Sequence, residues 1–206
     1  MPQTERATLI REAFRLEYFT VAWMVIEAGV AISAGLAARS ITLLAFAIDS
    51  LIELASAGVL IWRLTVELRR GLAFAEAAER LASRIGGALL FALAAYAVAA
   101  AGWGLWTGEG QAVSWPGLLV ALAAIPVMWV LSRRKLRLAA ALGSRALRAD
   151  AMESITCGWL SFAVVIGLTA QFVVGSWWID SVNSLVIVWF LVREGRDAWN
   201  GEEDED

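Results

Sequence analysis

The sequence predicts an all-α membrane protein, a bundle of six transmembrane helices with both termini in the cytoplasm. Sixty per cent of the residues are apolar and the mean hydropathy is +0.67, whereas a soluble domain of this length would expose more charge. The apolar residues are gathered into six runs, most of them close to the roughly 20 residues that cross a bilayer as a helix. Nearly all basic residues fall in the connections on one side of these runs, which is typical of membrane proteins.

The six predicted spans leave little sequence outside the membrane. They are Tyr18–Ala38, Ile41–Trp62, Ile85–Trp106, Val113–Leu131, Ala151–Val174 and Trp177–Val192. Two prolines are expected to bend the fourth span, and the short sixth span is expected to continue as a helix beyond the bilayer. Residues 1–16 are predicted to form a cytoplasmic amphipathic segment, 17–199 the transmembrane domain, and 200–206 an acidic tail.

The orientation follows from the basic residues. Arg39 is the only one in a connection on the second side, and the others lie in the terminal segments and in the connections 63–84 and 132–148. Because positive residues are retained in the cytoplasm, both termini are expected there. The N-terminus lacks the basic region and short apolar core of a secretory signal, so the first span is predicted to be permanent. The expected location is the bacterial inner (plasma) membrane.

The second span carries two acids near its middle. Asp49 and Glu53 are four residues apart, so their carboxylates lie one turn apart on one helical face. An acid at the bilayer centre costs roughly 2.5–3.5 kcal/mol even on lenient insertion scales. The sequence shows no Lys or Arg within this span and predicts none at matching depth elsewhere. A visiting cation is therefore the expected partner of the pair.

The fifth span repeats this spacing. Glu153 and Cys157 are also four residues apart, and Asp150 precedes them on the same stripe. If the two spans face each other, the two pairs supply four anionic or anionisable ligands, the number that zinc favours. A lone buried cysteine is also often a small hydrophobe. Asp150 is also a candidate metal residue, expected to line the cytoplasmic entrance, unless it simply caps the fifth helix.

Proton carriers are few, because the chain contains no histidine. Any proton exchange must then use the site carboxylates, Cys157 or Glu27. Glu27 lies in the middle of the first span, where it could support the site, carry a proton, or simply hydrogen-bond to a small neighbour. Asp180 and Asn183 are predicted to shape the outer vestibule or to cap the sixth helix.

Three segments resemble the transmembrane domain of the cation diffusion facilitator family: SITLLAFAIDSLIELASA, LRADAMESITCGWLS and WWIDSVNSLVIVWFLVREGRDAW. The resemblance extends from Glu17 to Trp199 and implies a six-helix metal/proton exchanger. It implies a metal site formed by the two pairs of the second and fifth spans, Asp49 with Glu53 and Glu153 with Cys157. The family usually has His and Asp on helix 5, where this chain has Glu and Cys. The chain is more similar to a truncated branch without the cytoplasmic C-terminal domain.

The expected function is transport of divalent metal ions out of the cytosol against proton entry. The thiol favours Zn²⁺, Cd²⁺ or Co²⁺, with zinc first, while three carboxylates leave Mn²⁺ and Fe²⁺ open. The expected partners are the ions, protons, the bilayer and a second copy of the chain; no permanent cofactor and no nucleic acid are expected. One alternative is an intramembrane enzyme similar to Mg²⁺-dependent prenyl transferases, which would need Lys or Arg near the acids. Another is a non-transporting scaffold or sensor, which would not require two matching pairs.

Overall fold

The computed structural model is helical throughout the residues it describes. These are 3–70, 88, 91–92, 94–99, 101–107 and 114–200, and no strand occurs among them. Six helices follow one another along the chain: α1 (Gln3–Ala38), α2 (Ile41–Arg70), α3 (residues 94–99 and 101–107), α4 (Trp115–Leu142), α5 (Arg145–Val174) and α6 (Ile179–Asn200). The predicted all-α class is confirmed. The acidic tail, the second half of the connection 63–84 and the start of the third span lie outside the described residues.

Four helices are long and apolar enough to cross a membrane. Within the described residues these segments are Thr8–Ala38, Ile41–Trp62, Trp115–Leu142 and Asp150–Val174. The second has the predicted bounds, and the fifth predicted span differs by one residue. The α6 helix runs to Asn200, so the predicted continuation of the sixth span as a helix is confirmed. The protein is an integral membrane protein.

The outer surface of these helices is rich in large apolar side chains, and the interior contains many alanines beside larger residues. Many outward-facing residues are large, such as Leu119, Trp129 and Val173, and suit contact with lipid tails. Many interior positions are alanine, and the alanines at positions 31, 45, 57, 121 and 124 have almost no exposed surface. Because association of membrane helices depends on close packing rather than on the hydrophobic effect, small interior residues let the helices approach one another.

The α2 helix occupies a central place in the bundle, in contact with α1, α5 and α6. The α4 helix packs against α1 and α5, and α5 also contacts α6. Gly167 permits the last contact, since a Cβ atom there would lie 2.2 Å from Asn183 Nδ2. The contact between α2 and α5 is the one that the predicted site requires.

The predicted connection 132–148 is wrong for most of its length. The α4 helix continues to Leu142 and α5 begins at Arg145, so only Gly143 and Ser144 form the turn. Gly143 has φ 61°, a left-handed conformation that glycine adopts without strain, and Ser144 accepts a hydrogen bond from Leu147 N at 3.3 Å. The basic residues of this segment that face outward lower its average hydropathy, which is why the sequence predicted a connection. The residues on the inner face of the same segment are buried and form a stripe along α4.

That inner stripe includes a charged residue. Ser132, Lys135 and Leu138 are three residues apart on α4 and are all buried, whereas Arg133, Arg134 and Arg137 are exposed. The stripe of buried positions therefore continues through the Arg-Arg-Lys run without interruption. As a result α4 carries Lys135 into the interior of the bundle, at the end where α4 turns into α5. We call this the α4–α5 end, and the opposite end, at Arg39 and Ser40, the α1–α2 end.

Candidate metal site

Glu53 joins α2 to α5 in the interior of the bundle. Its side chain is buried, and its Oε1 atom accepts a hydrogen bond from Ser154 Oγ at 2.8 Å. Its Oε2 atom is buried without a hydrogen-bond partner among the described residues. A buried carboxylate oxygen without a partner is costly unless a ligand or cation completes it. Glu53 therefore lies where the sequence analysis placed it, on the face of α2 that meets α5.

Cys157 is also buried in the interior, on α5, and only 1% of its surface is exposed. Its Sγ atom is 3.7 Å from Glu27 Oε1, and the thiol is within electrostatic reach of Glu53, Glu27 and Asp49. The structure thus brings together Glu53 and Cys157 from the two predicted pairs. It also places Glu27 of α1 beside them, an acid whose role the sequence did not decide.

Glu27 has no exposed surface and connects three helices. Its Oε1 atom accepts a hydrogen bond from Ser50 Oγ of α2 at 2.7 Å, and its Oε2 atom accepts one from Trp23 Nε1 at 2.6 Å. The bond to Ser50 agrees with the interpretation of Glu27 as an acid held by a small neighbour. The contact with Cys157 additionally places this carboxylate beside the predicted metal site.

Asp49 and Glu153, the other members of the two pairs, are only partly buried and both interact with other polar groups. Helical spacing puts Asp49 one turn from Glu53 toward the α1–α2 end, and Glu153 one turn from Cys157 toward the α4–α5 end. Across the described part of the chain, no three acidic or cysteine side chains converge closely enough to hold an ion as they stand. Coordination by four residues therefore requires side-chain rearrangement from this arrangement.

Asp150 belongs to a separate charged cluster at the α4–α5 end. It forms a buried ion pair with Lys135 of α4, and Lys135 Nζ is also 3.4 Å from Glu17 Oε2 of α1. The same ammonium lies 3.4 Å from Ser154 Oγ, the group that hydrogen-bonds to Glu53. The interpretation of Asp150 as a cap of α5 is wrong, because Ser144 is the N-cap and α5 begins five residues before Asp150.

Lys135 overturns one expectation of the sequence analysis, which predicted no Lys or Arg at the depth of the acids. It was overlooked because it stands among surface arginines in a segment predicted to be a connection. Its signal was the spacing from Leu131 and Leu138, which continues the apolar stripe of α4. Glu17 was overlooked because it borders the first apolar run, yet it is fully buried.

Asp180 has a structural role at the opposite end. It accepts hydrogen bonds from Ser40 Oγ at 2.5 Å and from Ile41 N at 3.0 Å, and a longer one from Thr42 N at 3.4 Å. These groups form the start of α2, so Asp180 of α6 caps α2 rather than its own helix. A carboxylate is well suited to this position, because the first N–H groups of a helix lack partners within it and its dipole favours negative charge there.

The fold and these side chains define a helical membrane protein with acids and a thiol buried between its spans, features typical of proteins that move cations. Comparison with protein families agrees: residues 18–198 match the cation efflux transmembrane domain, the transmembrane domain of the cation diffusion facilitators. The chain belongs to that family, whose members are transporters and not enzymes. No significant match was found among curated proteins.

The family match also decides between the functions that the sequence left open. It excludes the prenyl-transferase-like enzyme, and it supports a divalent cation transporter over a scaffold. A basic residue does lie near the acids, because Lys135 pairs with Asp150, so the expected lack of one does not exclude such an enzyme.

Proposed function

We propose that the protein exports divalent metal ions from the cytosol, zinc above others, in exchange for protons. The observation that carries this proposal is the arrangement of Glu53 and Cys157. They are buried on facing helices, and Glu53 offers a carboxylate oxygen that no described residue hydrogen-bonds. A carboxylate and a thiolate together suit zinc, which binds Cys sulfur and Asp or Glu oxygen, usually with four ligands in all.

The proposed ligands are Asp49, Glu53, Glu153 and Cys157. The arriving ion would draw in the partly buried Asp49 and Glu153, and Glu53 would exchange its hydrogen bond to Ser154 for the metal. Asp150 is proposed to line the approach to this site rather than to bind the ion in it, since it is already paired with Lys135. Carboxylates supply hard oxygen ligands and Cys157 a soft one, so Cys157 is the residue that favours zinc, cadmium and cobalt over manganese.

Proton exchange follows from the chemistry of these ligands. Cys and carboxyl groups bind metal in their deprotonated forms, so metal binding releases protons and protonation releases metal. The chain has no histidine, so the site carboxylates, Cys157 or the neighbouring Glu27 would carry the protons. Alternating access would come from rocking of helices about a site near the midplane, as in other secondary transporters.

The direction of transport rests on topology. Six crossings would put both termini on the same side, and the distribution of basic residues favours the cytoplasm for that side. The cluster of Glu17, Lys135 and Asp150 would then lie on the cytoplasmic side of the site and Asp180 on the outer side. An inward proton gradient across a plasma membrane would therefore drive metal outward.

Zinc flux into proteoliposomes that contain a fluorescent zinc indicator tests the proposal. The wild-type protein is expected to carry zinc well above the rate of empty liposomes. Asp180→Asn is the matched control, because it alters a buried acid away from the site and keeps an oxygen to cap α2. Flux equal to that of empty liposomes, from protein that elutes as a single species, would contradict the proposal.

Substitution of Cys157 is expected to change ion preference. Cys157→Ser should weaken Zn²⁺ and Cd²⁺ binding by about tenfold and Mn²⁺ binding much less, because the soft ions lose a soft ligand. Cys157→Asp should move the preference further toward Mn²⁺. The measurement is competition between these ions in the flux assay, with Ser161→Ala, one turn along the same stripe, as the control. An unchanged ranking in both Cys157 variants would reduce this residue to a packing role.

A further inference from the structure

The cluster at the α4–α5 end is built around one buried cation. Lys135 and Glu17 have no exposed surface and Asp150 has 3%, so all three charges lie in the interior. The ammonium pairs with both carboxylates. Isolated charges in such surroundings are strongly disfavoured, and a pair is retained only where the partners compensate each other. Two acids here share this one cation, Lys135.

The cluster also has unused ligand atoms. Glu17 Oε1 and Asp150 Oδ1 are buried and have no hydrogen-bond partner among the described residues. Lys135 cannot satisfy every oxygen around it, and it is a donor only, so it cannot itself bind a metal. These oxygens are the hard ligands that a divalent cation would use if the ammonium moved away.

A short polar connection joins this cluster to the metal site. Lys135 Nζ is 3.4 Å from Ser154 Oγ, and the Ser154 hydroxyl hydrogen-bonds to Glu53 Oε1 at 2.8 Å. Asp150 and Cys157 are seven residues apart on α5, which corresponds to about 10 Å along the helix. The ammonium therefore lies between the α4–α5 end of the bundle and the buried carboxylate of Glu53.

We propose that Lys135 is a tethered counter-cation that neutralises the approach to the metal site and is displaced whenever a divalent ion passes between Glu17, Asp150 and Glu53. This inference rests on the proposed function. The ion and the ammonium compete for the same carboxylates, so each weakens the binding of the other. Lysine suits this role because its charge is carried on a flexible four-carbon stem that can swing aside.

Because the ion must first displace the ammonium, the cluster binds the ion more weakly than Glu17 and Asp150 would without Lys135. Without the ammonium, Glu17 and Asp150 would hold a divalent ion of their own and slow its passage. Coupling between two binding events in a protein is typically worth about 5- to 150-fold in affinity, and we expect the effect of Lys135 to fall in that range. The charge of Lys135, rather than its packing, is the property that should control both the number and the affinity of bound ions.

Equilibrium dialysis of purified protein against Mn²⁺ and Zn²⁺ tests this inference. Wild type and Lys135→Arg, which keeps the charge, are expected to bind one ion. Lys135→Met is expected to bind two, and the second should prefer Mn²⁺ and persist in Lys135→Met combined with Cys157→Ser, since its ligands are carboxylates only. One ion bound to Lys135→Met with the wild-type dissociation constant would overturn the inference.

Lys135→Met leaves two buried acids without a cation and can fail to fold. The double variant Lys135→Met with Glu17→Gln removes the movable cation together with one acid, so only Asp150 is left there without a counter-cation. It is expected to bind a single zinc ion at least about fivefold more tightly than wild type. An unchanged dissociation constant in this variant would contradict displacement. If the wild type itself binds no divalent ion, the proposed function fails. If the wild type binds one ion, and Lys135→Met and its combination with Glu17→Gln bind one ion with the same dissociation constant, only the role of Lys135 fails.

Discussion

Glu53→Ala is expected to abolish zinc transport while the protein remains folded in the membrane. Glu53 reaches across to α5 through Ser154, and its other carboxylate oxygen has no hydrogen-bond partner among the described residues. Its loss would remove one ligand of four and weaken binding by at least about tenfold, since even partners that only support a ligand are worth 10- to 100-fold. Removal of a buried acid should not hinder insertion, because acids are unfavourable in the bilayer.

Flux into proteoliposomes and the elution profile in detergent measure these two effects together. Asp180→Asn is again the control, and it should retain transport. Asp49→Ala is expected to abolish flux as well, because Asp49 is the other ligand that α2 contributes to the proposed site. Wild-type flux in either alanine variant would remove that residue from the site.

A proton gradient is expected to drive the transport of zinc. Metal and protons compete for the same carboxylate and thiol groups, so the affinity for zinc should fall as the pH is lowered from about 7.5 to about 6. Zinc should then leave the site where protons are abundant and bind where they are scarce. In liposomes, acidification of one side should accelerate zinc movement toward that side.

The measurement is zinc flux after an imposed pH step, with the membrane potential clamped so that only the proton gradient changes. Lysine variants are not suitable controls here, and Ser161→Ala, which keeps every titratable group, serves instead. Flux that ignores the step, together with an affinity that is flat across this pH range, would show binding without exchange. The antiport mechanism would then be wrong even if transport itself were observed.

The spans could be predicted from sequence because bilayer thickness imposes one length on many different helices. Ile41–Trp62 has the bounds that its apolar run indicated. The contact between Glu53 and α5 could be anticipated because both helices carry polar residues four apart on one face. These signals are local and periodic, and can therefore be recognised in one sequence without an alignment.

Pairings between distant residues could not be predicted in the same way. Lys135 is separated from Asp150 by only fifteen positions, yet its burial depends on how far α4 continues past Leu131. Average hydropathy ends the span there, because Arg133, Arg134 and Arg137 outweigh the buried stripe beside them. The capping of α2 by Asp180 likewise joins residues about 140 positions apart, and no local pattern marks it.

The central claim, that Cys157 and Glu53 bind one ion between α2 and α5, is tested most directly by the absorption spectrum of the cobalt-loaded protein. Co²⁺ substitutes for zinc and absorbs strongly in the near ultraviolet when a thiolate binds it. The wild type is expected to show this sulfur-to-cobalt band, Cys157→Ser to lose it, and Glu53→Ala to lose it through failure to bind cobalt. Cobalt binding to the wild type with no sulfur band, or a band that persists in Cys157→Ser, would contradict the assignment of the site.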